Sequence, residues 1–199
     1  MKFKIIPIIV LFTILILNSA QAQFAEVSKI VSPDRGDRDE YGSSVDIMGD
    51  YAVVGSWRDD VAEGSAFIYK KNENDQWEVS QSFKAFDNFE MAEFGSAVEM
   101  SEDYVIIASG RADIDGVIRA GALYVYENNG TNNWEFSTKL RASDYSGDAK
   151  LGMNSTSLAL QGNTIVGGAP GDLLWNGAVY IFNKVDDEWL ETKIIDNIG

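Results

Sequence analysis

Apolar positions along this chain fall into short runs of two kinds that alternate with one another. Ser43–Met48, Ser96–Met100 and Ser155–Leu160 show roughly alternating polarity, the pattern of strands with one covered face. Tyr51–Gly55, Tyr104–Ala108 and Thr164–Gly168 are almost unbroken apolar runs rich in Val and Ile, as strands covered on both faces are. A third set, Ser65–Tyr69, Ala122–Tyr126 and Ala178–Phe182, opens directly after Gly64, Gly121 or Gly177. A fourth set starts at Trp77, Trp134 or Trp189 and runs to Phe86, to Ala142 and to near Ile195. No segment carries a clean helical stripe, so the pattern predicts short strands throughout and an all-β chain.

The four kinds recur in one order, which makes the chain an array of similar units. Trp77, Trp134 and Trp189 lie 57 and 55 residues apart, and the landmark glycines lie 57 and 56 apart. The units fall near residues 41–86, 94–142 and 151–196 of a domain spanning 23–199. Within each unit the first two strands are joined by Gly49-Asp50, Glu102-Asp103 or Gly162-Asn163, residues suited to two-residue hairpin turns. Longer loops join strands two and three at 56–63, 109–120 and 169–176, and lead into each unit at 34–40, 87–93 and 144–150. Four antiparallel strands at this period predict the blades of a β-propeller, with both sets of long loops on one face. The stretch 27–34 resembles a spare fourth strand ahead of the first unit. Propellers close with about four to eight blades. Three repeats therefore predict an incomplete propeller within a longer protein or one completed by association.

The landmarks resemble the FG-GAP repeat family, found in integrin α-subunits and in many exported bacterial proteins. Tyr41-Gly42, Phe94-Gly95 and Leu151-Gly152 carry the first half of that signature. Gly168-Ala169-Pro170 matches the second half, and Gly55-Ser56-Trp57 and Ala108-Ser109-Gly110 match it in part. The resemblance covers about residues 27–196 and implies a propeller used as an extracellular recognition or adhesion surface. Integrin-type repeats carry a calcium loop between strands one and two, and here that connection has two residues in every unit. Six to eight oxygens cannot come from so short a turn. The likeness is therefore to the short bacterial version, and no cofactor is expected at the usual calcium position.

Composition narrows the chemistry further. Lys2 and Lys4, the apolar stretch Ile5–Leu17 and Ala20-Gln21-Ala22 read as a secretory signal peptide over residues 1–22. A secreted or cell-surface location follows, with no membrane insertion of the mature chain. Losing those two lysines takes the net charge from −15 to −17, which repels nucleic acid and anionic lipid. The chain has no Cys and no His. Disulfides, thiolate and imidazole metal sites and Ser-His-Asp catalysis are thereby excluded.

The candidate residues lie in the long loops. Trp57 and Trp175 sit in strand 2–3 loops beside Arg58, Asp59, Asp60, Asp172 and Asn176. Exposed, such a set suits a sugar or peptide ring by stacking and hydrogen bonding; otherwise each Trp packs under its own loop. Arg111, in the loop of the second unit, joins this ligand-binding set. Asp113-Ile114-Asp115-Gly116 is the nearest approach to a cation motif. Asp113 and Asp115 alone lack the further acids that calcium needs, and a solvated acidic turn is the plainer reading. Arg35-Gly36-Asp37 is an RGD triplet in a charge-rich loop, a pattern that also arises by chance. Asn129-Gly130-Thr131 and Asn154-Ser155-Thr156 fit the glycosylation pattern. Trp77, Trp134 and Trp189 hold a fixed phase and read as framework.

The expected function is an exported binding or adhesion module that recognises an extracellular protein or glycan through the loop face. It is expected to have no catalytic residues, and to act as a homo-oligomer or beside further repeats. The alternatives are a carbohydrate-active lyase or hydrolase domain, or a structural spacer within a longer surface protein.

Overall fold

A computed structural model describes residues 28–34, 36–87 and 90–196. Segment 1–22, which the sequence reading assigns to a signal peptide, and Arg35 of the RGD triplet lie outside the described residues. The described chain forms three four-stranded antiparallel sheets, each with its strands in sequence order. The first holds β1 (Ser44–Met48), β2 (Tyr51–Ser56), β3 (Ser65–Lys71) and β4 (Trp77–Phe83). The second holds β5 (Phe94–Met100), β6 (Tyr104–Ser109), β7 (Ala122–Asn128) and β8 (Trp134–Leu140). The third holds β9 (Leu158–Gln161), β10 (Thr164–Ala169), β11 (Ala178–Val185) and β12 (Glu188–Asp196). These are propeller-type blades, and the three sheets do not close into a full ring.

The apolar runs form second strands that are covered on both faces in the first two blades. In the third every other residue, Val166 among them, is only half-buried, because no further blade is packed on that side among the described residues. Val53, Ala66 and Ile68 face the second blade, where Phe94, Val98, Val105, Ile107 and Tyr124 meet them. Ile106, Leu123 and Val125 face the third, against Leu158, Ile165 and Tyr180. The framework Trp residues tie neighbouring blades. Tyr51 meets Trp134 edge-on at 5.2 Å, and Tyr104 meets Trp189 in the same way at 5.2 Å. A register shift recurs at one phase, between Ile68/Tyr69, Val125/Tyr126 and Ile181/Phe182.

Three details differ from the sequence expectation. Residues 28–34 form no strand; instead Ile30 packs against Val54, Phe67 and Tyr69 of the first blade. The outer strands β4 and β8 end at Phe83 and Leu140, short of Phe86 and Ala142, because the chain there turns toward the next blade. The first strand of the third unit is confined to Leu158–Gln161, since Ser157 spends its groups on a turn with Asn154.

The long loops pack against one another in a repeated way. Arg58 N–H donates to the Asp39 carbonyl, Arg111 N–H to Ala92 and Gly171 N–H to Ala149. The first two strand 2–3 loops also accept from the segment that enters the next blade: Phe94 N–H donates to the Glu63 carbonyl and Leu151 N–H to the Ala120 carbonyl. The two loop sets thus share one end of the blades.

Candidate functional site

At that end each blade carries a cleft between an acid of the segment that enters it and its own strand 2–3 loop. The lip acids are Asp34, Asp87 and Asp144. The first cleft is lined by Asp34, Asp59, Phe67 and Lys84 among others. The second is lined by Asp87, Asp113, Ile114, Asp115, Lys139 and Arg141. The third, of about 340 Å³, is lined by Asp144, Ser146, Asp148, Asp172, Leu174 and Trp175.

In the second cleft the acids already have cationic partners. Lys139 Nζ lies 2.8 Å from Asp87, whose other oxygen accepts from the Tyr124 hydroxyl at 2.6 Å. Burial acts to raise the Asp87 carboxyl, but these two bonds hold it below its ordinary range. Asp115 pairs with Arg141 and accepts from Tyr145 at 3.0 Å. The Tyr145 and Arg141 bonds hold its carboxyl low as well. Asp113 caps the Arg119 amide at 2.7 Å. Both cation candidates are thus spent on protein donors, and no group of three or more acids suited to a metal occurs among the described residues.

The third cleft is arranged differently. Asp172, only 2% exposed, accepts from Ser146 at 2.7 Å and from the Tyr180 hydroxyl at 2.6 Å. The same hydroxyl lies 2.8 Å from Asp144. Burial, together with these carboxylates, pushes the Tyr180 phenol well above its ordinary pKa, so it stays a donor. Arg119 grips Asp148 with two nitrogens, at 2.9 and 3.0 Å, a fork geometry that fixes the carboxylate. Above these acids stand Trp175, 66% exposed, and Leu174, 94% exposed. Lys150, itself buried, places its ammonium 4.2 Å from the Trp175 ring centre. A cation under one ring face braces the indole and leaves the other free.

The remaining predicted residues form a charged row across the blades. Arg58 bonds Glu40 at 2.9 Å and stacks over Trp57 at 5.3 Å, so Trp57 is half-buried beneath its own loop. Arg111 bonds Glu93 at 3.1 Å. Burial pushes the Glu93 carboxyl up, against the pull of Arg111, Lys150 and Arg58. Asp60 pairs with Lys84, which also lies 3.8 Å from Asp59.

The structure therefore brings Asp172 and Trp175 into one cleft. It puts Asp59 in another, and leaves Trp57, Arg58, Asp60 and Arg111 in structural pairs. Sequence reading missed Asp144, Ser146, Asp148 and Leu174. The one available signal was an Asp at the start of each entering loop, at positions 34, 87 and 144.

Residues 24–69 match a family model described as the FG-GAP repeat. The match runs from ahead of the first blade into β3. No curated protein matches the chain. Among the described residues no helix is long and apolar enough to cross a membrane.

Proposed function

We propose that this chain, whose residues 24–69 match the FG-GAP repeat, is an exported, non-catalytic binding module whose third-blade cleft takes a carbohydrate. The observation that carries this reading is the exposed Trp175 ring, braced from one side by Lys150 and standing over three carboxylates. A sugar ring offers an apolar face for stacking and hydroxyls for acceptor oxygens, and this cleft supplies both counterparts. The absence of His and Cys from the sequence further favours recognition over catalysis.

Calorimetric titration of the secreted chain against a panel of neutral oligosaccharides tests the proposal. Saturable binding is expected, weakened about tenfold by Trp175→Ala, which removes the stacking face. Turnover of a polysaccharide would instead support the enzyme reading. Absence of any saturable glycan binding would leave the chain as a spacer.

A further inference from the structure

The three blades place one aromatic residue at the same register position. Phe67 pairs with Val54, Tyr124 with Ile107 and Tyr180 with Gly167. In the second and third blades its hydroxyl meets the lip acid, Asp87 or Asp144. In the third it also meets Asp172 on the strand 2–3 loop. The first blade keeps both acids, as Asp34 and Asp59, but has Phe67 in place of the tyrosine. Asp59 and Asp172 are true counterparts, since their carbonyls accept from Gly64 N–H at 2.9 Å and Gly177 N–H at 3.0 Å.

The hydroxyl's place is therefore open in the first cleft. Asp59 is 4% exposed, and its Oδ2 has no hydrogen-bond partner among the described residues. Ser65, 1% exposed, stands where the other blades have Ala122 and Ala178, and its hydroxyl is also without a partner. Both residues line a cavity of about 490 Å³ whose other walls include Phe67, Val79 and Phe83. Leaving buried polar oxygens unpaired is costly, and a cavity of this size accommodates a small organic molecule.

We propose that the first cleft is a binding site for a small primary ammonium ion carrying an apolar or aromatic tail. Asp34, Asp59 and Asp60 against Lys84 leave the cleft with net negative charge, which selects a cation. An ammonium has three donors, one each for Asp34, Asp59 and Ser65. The walls of Phe67, Val79 and Phe83 suit the tail and offer no oxygen to a bare metal ion. Lys84 Nζ, 3.8 Å from Asp59 and bonded to Asp60, is the internal ammonium that the ligand displaces toward Asp60. The proposal is independent of the third cleft.

Titration of the full chain with 2-phenylethylamine, followed by calorimetry, is the test, with 2-phenylethanol as the neutral counter-probe. The amine is expected to bind saturably and the alcohol at least about tenfold more weakly. Phe67→Tyr restores the third-blade arrangement, so it is expected to abolish amine binding while raising the melting temperature. That rise shows that the variant is folded and that its new hydroxyl has found Asp59. Asp59→Asn is expected to weaken the amine by about tenfold or more. No saturable binding to the wild type, undiminished binding to Phe67→Tyr, or equal binding of the alcohol would each overturn the assignment.

Discussion

Gly64 and Gly42 adopt nearly the same left-handed backbone, with φ of +89° and +85°, yet they answer to different constraints. A Cβ on Gly64 would stand 2.0 Å from the Phe94 carbonyl oxygen, whereas one on Gly42 meets nothing within 4 Å. Gly64 forms a parallel bridge to Phe94, and Gly121 repeats it with Leu151. Gly42→Ala is therefore expected to cost about 1–2 kcal/mol, the ordinary strain of a left-handed residue. Gly64→Ala adds displacement of the inter-blade bridge and should lower stability distinctly more. Urea denaturation of the two variants measures the difference; equal losses would mean that the bridge yields freely. The landmark glycine was visible in the sequence by its spacing, but its reason was not. The atom it avoids belongs to a residue 30 positions away in the next blade.

Among the elements, β1 and β5 meet through a pair of acids. Asp46 of β1 accepts from the Met100 amide of β5 at 2.8 Å. Beside it the Glu99 carboxyl is pushed up to about 7, by burial, by the charge of Asp46 and by the hydrogen bond between them. In the unfolded chain Glu titrates near ~4.3, so the folded state holds this proton more tightly. Its contribution to stability is present in full below that pH and is lost as pH rises through about 7. Glu99→Gln is expected to gain melting temperature relative to wild type as pH goes from acid to mildly alkaline. A pH-independent difference between the two proteins would contradict the pairing. The strands were legible because alternation and unbroken apolar runs are local patterns, as Tyr51–Ser56 and Tyr104–Ser109 show. The Asp46–Glu99 pair was not, because two acids 53 residues apart become neighbours only when blades stack.

For the molecule as a whole, the open faces of the blade stack matter most. Val53, Ala66 and Ile68 of the first blade, and Ile106, Leu123 and Val125 of the second, are fully buried against the next blade. Their third-blade counterparts Val166, Val179 and Ile181 are only half-buried, and Leu190 and Ile195 are exposed beside them. An apolar surface of this kind favours association in water. Light scattering over a wide concentration range is expected to show mass rising above that of one chain, and Ile181→Lys to suppress the rise. A constant monomer mass in the wild type would show that this face is stable in water.

The repeat, the four-strand unit and the framework Trp positions were determined by the sequence alone. Each depends on the phase of residues close together in the chain, and three copies of Phe-Gly or its variants set that phase. Which acids are paired and which are open was decided by tertiary structure. Asp115 and Asp59 look alike in their loops, but Arg141 and Tyr145 meet the first, and Phe67 leaves the second without a hydroxyl. Trp57 and Trp175 look alike too, yet one lies under Arg58 and the other stands free above Lys150. Such outcomes turn on side chains brought together across turns and between blades, where separation along the chain carries no information about distance in space.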